Sequence, residues 1–293
     1  MSASPITDSQ VRLRDGRTLG YAEFGDPGGQ PIFVFNGSAS RRFHPVGAAD
    51  AGLGARTITV DRPGIGKSDP KPGRSLADWA DDVRELADQL GIGRFGVAGA
   101  SAGGPYAAAC AFRLPERVGG LALVSSLAPF DVPEVSRGMN VAYKMIPWMT
   151  RRVPRLLTFA QSLAAKHPPS IWRQFYKRLP ECDRATLRAH PELDFSAMLI
   201  GDVAEIYRQG PASTVADMAV LTGPWGFDPA AIRVPTQIWQ GERDVNVPPA
   251  MARYLAGAIP GSQLHMFPDE GHLMYLNHWP EIVGVLLKGA QSQ

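Results

Sequence analysis

Cysteine is nearly absent. Cys110 and Cys182 are the two in 293 residues, far apart and without a CxxC spacing or histidine companions. That excludes a disulfide framework and leaves no zinc-binding pattern. Cys110, inside AAACAF, reads as a small buried hydrophobe. Excess charge is lacking too: the net charge of +2 points to no nucleic-acid partner. No apolar run reaches the ~18 residues of a membrane span. The first residues, MSASPITDSQ, have neither a basic start nor an apolar core, so a cytoplasmic location is the default expectation. Repeats and low-complexity tracts are missing, and no motif calls for a cofactor or a metal.

What is present is an ordinary globular composition, 44% hydrophobic and 20% charged, on a chain long enough for one large domain or a domain with an insertion. Val11 to Arg14, an Asp15-Gly16 turn and residues 17–24 resemble a hairpin. Short apolar runs then alternate with amphipathic stretches: IFVF (32–35), TITV (57–60), FGVAGA (95–100), VGGLALV (118–124) and TQIW (236–239). Continuous apolar strands separated by helices indicate an α/β protein whose parallel sheet is buried on both faces. Leu76, Trp79, Val83, Leu86 and Leu90 form one helical stripe, with Ser75 as the cap, Asp78 in a weak capping-box position and Gly91 as the stop. From Pro129 to Gly226 the strand rhythm disappears into Met- and Trp-bearing stretches punctuated by prolines. The expected organisation is therefore core over 1–128, a helical insertion over 129–226 and core again over 227–293.

The chemistry-bearing residues follow strands. Gly99-Ala-Ser101-Ala-Gly103 is a G-x-S-x-G motif between an apolar strand and an alanine-rich helix, the setting of a nucleophile elbow. A sharp turn there projects the Ser101 hydroxyl, and side chains at 99 and 103 would collide across it. A serine nucleophile needs a base and an orienting acid. Asp244 follows strand TQIW, and His272 follows the apolar run LHMF, in the chain order Ser, Asp, His. Glu242, beside Asp244, and Asp131, beyond VGGLALV, compete for the acid's place. The remaining histidines, 44, 167, 190, 265 and 278, read as surface or packing residues.

With NGSA (36–39), DRPGIGKSD (61–69), GASAGGPYA (99–107), QGERDVNVP (240–248) and EGHLMYL (270–276), the chain resembles α/β-hydrolase-fold enzymes over nearly its whole length. The resemblance implies an eight-stranded, mostly parallel sheet with a helical cap inserted after the sixth strand, and a triad of Ser101, Asp244 and His272. It also implies an oxyanion hole made by the backbone N–H groups of Ser38 and Ala102, with Asn36 and Gly37 as the supporting loop. Gly37 lets that loop come close without a Cβ. Asn36 departs from the family, which usually has histidine there. The plainer reading is that it replaces a structural side chain; the sharper is that its amide is itself a donor.

Serine at the elbow argues against the dehalogenases and epoxide hydrolases of this fold, which use aspartate. The expected activity is carboxylesterase-like: cleavage of an ester of a small, apolar substrate through an acyl-enzyme. A C–C bond hydrolase or lyase, a proline-iminopeptidase-like peptidase and a ligand receptor with residual hydrolysis are the alternatives. For the peptidase, Glu181, Glu192 and Glu205 are the cap carboxylates, and nothing in the sequence places them at the site. The cap's Met, Trp and Phe are read mostly as its own core, and Arg151, Arg152, Arg155, Arg173, Lys177 and Arg178 as solvated helix faces. Oligomeric state is not legible.

Overall fold

β1 (Thr7–Arg12) and β2 (Thr18–Gly25) pair antiparallel, Val11 opposite Leu19, in a computed structural model that describes residues 6–37, 42 and 53–291. β3 (Gln30–Phe35), β4 (Ala55–Val60), β5 (Phe95–Ala100), β6 (Val118–Val124), β7 (Thr236–Gly241) and β8 (Gln263–Phe267) complete an eight-stranded sheet. The order is β1-β2-β4-β3-β5-β6-β7-β8, antiparallel in the first two pairings and parallel from β4 onward. Every residue of β5 and β6 is buried, as expected for central strands covered on both faces.

Alternation along β3 divides its side chains between two cores. Phe33 and Phe35 join one with α1 (Ala77–Gln89) and α2 (Gly104–Arg113); Ile32 and Val34 join the other with α11 (Tyr275–Gln291). Trp79 of α1 packs edge-on against Phe35 and Tyr106, with centroids 5.3 and 5.5 Å apart, so one side chain ties α1 to β3 and α2. Truncating it to alanine should cost about 3–5 kcal/mol. Helix α1 starts through a reciprocal cap: the Ser75 N–H donates to Asp78 Oδ2 at 2.7 Å, and the Asp78 N–H to Ser75 Oγ at 3.3 Å. Gly91, at φ 67°, ends it.

The crossover from β6 to β7 holds a helical cap: α3 (Val141–Lys144), α4 (Ile146–Arg152), α5 (Pro154–Ala165), α6 (Pro168–Arg178), α7 (Glu181–Ala189), α8 (Phe195–Ile206) and α9 (Pro211–Leu221). Prolines that read as breaks in the sequence are helix beginnings here. Pro154, Pro168 and Pro211 each open a helix, where the missing N–H costs no hydrogen bond. After β7 the chain returns through α10 (Pro249–Ala258) to β8. This is the eight-stranded, mostly parallel sheet with a cap after the sixth strand that the resemblance implies. Among the described residues, no helix is long and apolar enough to cross a membrane.

Candidate active site

Ser101 follows the last residue of β5 at φ 54°, a left-handed conformation that costs a non-glycine residue roughly 1–3 kcal/mol. The chain holds it there by crowding. A Cβ on Gly103 would lie 1.9 Å from the Phe35 carbonyl oxygen, and one on Gly99 2.5 Å from the Gly103 carbonyl oxygen. Ser101, Ala102 and Gly103 make a tight 3₁₀ turn before α2 begins at Gly104, two residues later than a helix starting directly after Ser101. The turn forms because β5, the β3 end and α2 meet too closely for a wider connection. Gly37 packs beside it, its missing Cβ 3.3 Å from Ser101 Cβ. Ala102 is fully buried in that turn. Ser38, the other donor that the resemblance implies, lies outside the described residues.

Asp244 and His272 come from the loops after β7 and β8. His272 Nδ1 donates to Asp244 Oδ2 at 2.8 Å. Asp244 Oδ1 accepts the Asn246 and Val247 N–H groups, both at 2.8 Å, and Gln240 Nε2 adds a donor to Oδ2 at 3.2 Å. The carboxylate is thus fixed before the imidazole meets it. Burial alone would make His272 harder to protonate; the Asp244 charge and hydrogen bond, with Asp183 adding to them, outweigh it and raise the imidazole above its ordinary range. Glu242 is exposed and pairs with Arg253 at 2.8 Å, and Asp131 is exposed. His265 bonds Gln237, His278 bonds Glu270 and His190 bonds Glu192 and Asn277, while His44 lies outside the described residues.

Behind the cavity, Asp183 and Asp217, two buried aspartates of the cap, pack against the loops of this site, and neither was legible from the sequence. Asp183 of α7 is fully buried, and its Oδ1 accepts the Leu273 N–H at 2.8 Å. Burial pushes its carboxyl up, against the pull of that N–H and of the His272 charge. Asp217 of α9 lies 3.0 Å from Arg62 Nε, accepts the Tyr106 hydroxyl at 2.6 Å and pairs with Arg74. Arg62 in turn donates to the carbonyl oxygens of Asn36 at 2.8 Å and Gly37 at 2.9 Å. Burial works to raise the Asp217 carboxyl, but Arg62 and Arg74 hold it below the usual range. The signal for Arg62 was the DRPGIGKSD motif, which marks a turn but does not show what the guanidinium grips.

Ser101, His272 and Gly37 open on a cavity of about 360 Å³ roofed by the cap, with Phe175, Phe195 and Met198 among its walls. Part of the cap's aromatic and Met content therefore faces a ligand space, whereas Trp225 is packed in the core. Among the described lining residues, Asp202 of α8 is the one carboxylate and there is no lysine or arginine. Glu181, Glu192 and Glu205 lie elsewhere, bonded to Arg188, His190 and Arg42. Among the described residues, no group of three or more His, Cys, Asp or Glu side chains could hold a metal ion.

A family profile for the alpha/beta hydrolase fold matches residues 20–278. A pimeloyl-[acyl-carrier protein] methyl ester esterase of Aromatoleum aromaticum is 30% identical over 242 residues, 81% of this chain and 87% of that protein. A 2-hydroxy-6-oxononadienedioate/2-hydroxy-6-oxononatrienedioate hydrolase of Pseudomonas putida is 28% identical over 286 residues, 92% of this chain and 91% of the other. Among solved structures, a thermophilic esterase from Thermogutta terrifontis superposes with a TM-score of 0.68 at 24% identity, covering 97% of this chain and 100% of that one.

Proposed function

We propose that this chain, which belongs to the alpha/beta hydrolase fold family and is a hydrolase, cleaves carboxylic esters of small, apolar acids through an acyl-enzyme. One observation carries the reading: strained Ser101 and the His272–Asp244 pair open together on one largely apolar cavity. In this mechanism the Ser101 hydroxyl attacks the ester carbonyl while His272 takes its proton. The tetrahedral oxyanion forms against the N–H groups of Ala102 and Ser38, each such donor being worth roughly 3 kcal/mol. His272 returns the proton to the departing alcohol, leaving the acyl group on Ser101. Water, deprotonated by His272, then attacks the acyl-enzyme, and His272 passes that proton to the departing Ser101 Oγ as the acid is released. Asp244 holds the imidazole tautomer and stabilises its cation.

The cavity lining favours a neutral substrate. A dioate carries two negative charges and would need cationic partners, but the described lining offers Asp202 and neither lysine nor arginine. The reading is tested with p-nitrophenyl esters of graded acyl length, a thioester and a vinylogous C–C substrate, on the wild type and Ser101→Ala. Turnover of medium acyl esters, lost in Ser101→Ala, supports it. Turnover of the C–C substrate alone would move the assignment to a C–C bond hydrolase.

A further inference from the structure

Between Glu134 and Glu181 the chain has nine lysines and arginines and not one aspartate or glutamate. All nine are exposed, and none is in an ion pair among the described residues. The same stretch concentrates exposed apolar surface. Seven of the ten exposed large hydrophobic side chains of the described residues fall between 141 and 163: Val141, Tyr143, Met145, Trp148, Leu156, Phe159 and Leu163. Single exposed hydrophobes are ordinary, but a concentration like this marks an interaction surface.

Helix α5 turns an apolar stripe outward. Gln161 faces the protein, bonded to Thr214 and lying 3.6 Å from Met218 Sδ, both on α9. At 3.6 residues per turn, Leu156, Phe159 and Leu163 fall in one stripe half a turn away from Gln161. Their exposures of 61, 60 and 47% place that stripe in solvent. Val141, Met145 and Trp148 recur at the same helical spacing along α3 and α4. Arg151, Arg152, Arg155 and Lys166 flank the two stripes in sequence. An outward apolar face edged by cations is the pattern of a helix lying in a bilayer interface, with rings and aliphatic chains in the acyl region and cations at the phosphates.

We propose that the α3–α5 face of the cap docks on an anionic lipid bilayer, inserting Trp148, Leu156 and Phe159 while Arg151, Arg152, Arg155 and Lys166 meet lipid phosphates. A second copy fits the face poorly, because an isologous contact would bring two acid-free basic surfaces together. Docking would also place the cavity close to lipid, since Tyr143 and Ile146 of the same helical stretch line it. The use of that position, delivery of a lipid-borne ester to Ser101, rests on the hydrolase mechanism above; docking itself does not.

Flotation of the full chain with vesicles tests this. Phosphatidylcholine vesicles containing phosphatidylglycerol should carry the protein at least about tenfold more than pure phosphatidylcholine, and high salt should abolish the difference. Trp148→Ser with Phe159→Ser, and separately Arg152→Glu with Arg155→Glu, should each weaken flotation about tenfold or more while turnover of a soluble short ester stays unchanged. Retained turnover shows that the variants fold, and Ser101→Ala should float as the wild type does, which separates this claim from the hydrolase reading. Equal flotation with neutral and anionic vesicles, none with either, or no response to the four substitutions would overturn the proposal. So would a dimer broken by Phe159→Ser, or a preference of the face for an acidic protein over the vesicles.

Discussion

Asp183 Oδ1, carried by the cap, accepts the backbone N–H of Leu273 at 2.8 Å, one residue past His272. A cap side chain thereby anchors the loop that presents the candidate base. The loop is shaped for it: a Cβ on Gly271 would sit 2.5 Å from the same oxygen.

Asp183→Asn keeps an acceptor for Leu273 but removes a negative charge near the imidazole. Because the Asp183 charge adds to the upward shift of His272, the acid limb of kcat/KM should move to lower pH in this variant. A pH–rate profile reads it, and imidazole NMR reads it without substrate. In Asp183→Ala the Leu273 N–H also loses its partner, so stability should fall by about 1–3 kcal/mol in urea unfolding. An unmoved acid limb in Asp183→Asn would confine Asp183 to a structural role.

The wild-type His272 titration has its own signature. General-base chemistry needs neutral imidazole, so activity should rise with pH through a midpoint above the unperturbed value of about 6.5. The same raised pKa stabilises the fold fully below the unfolded value, and that contribution is lost as pH rises through the folded one. Asp244→Asn should lower kcat by about 10³–10⁴-fold and pull the midpoint down, whereas Asp131→Asn and Glu242→Gln should change kcat by less than about twofold. Steady-state kinetics on the three variants decide which carboxylate serves the base.

Asp217 neutralises two buried cations, so Asp217→Asn leaves Arg62 and Arg74 uncompensated. A loss of about 3–5 kcal/mol is expected, visible as a lower Tm. The pH dependence follows from the depressed Asp217 carboxyl: its stabilising contribution is present above the unfolded pKa and is lost as pH falls through the folded one. Acid unfolding of the variant should lack that part of the slope. Arg62→Lys cannot span the Asn36 and Gly37 carbonyls bidentately, and kcat should drop about 10–100-fold with KM little changed.

Asn36 meets Arg62 through its backbone carbonyl, a contact that side-chain truncation keeps. Asn36→Ala should therefore retain kcat within about threefold. A larger loss with folding intact would make the side-chain amide part of the oxyanion site.

The sheet was legible because parallel strands buried on both faces must be continuous apolar runs. FGVAGA and VGGLALV match β5 and β6 residue for residue. Helix α1 was legible from its stripe and from the Ser75–Asp78 cap. Cap helices were not individually readable: α3 and α4 are only 4 and 7 residues long, too short for a period to declare itself. At the candidate site, Asp244 and His272 were legible from their loop positions after consecutive strands. Asp183 and Asp217 were not, because their partnerships are tertiary: 90 residues separate Asp183 from Leu273 and 143 separate Arg74 from Asp217. No local pattern encodes which carboxylate a folded cap will bury against which loop.

The most direct test of the account is intact-mass and peptide mapping after treatment with a fluorophosphonate. One covalent adduct is expected, on Ser101, formed in step with loss of ester turnover, absent in Ser101→Ala and slowed strongly in His272→Ala. An adduct on another residue, or full ester turnover by Ser101→Ala, would contradict it.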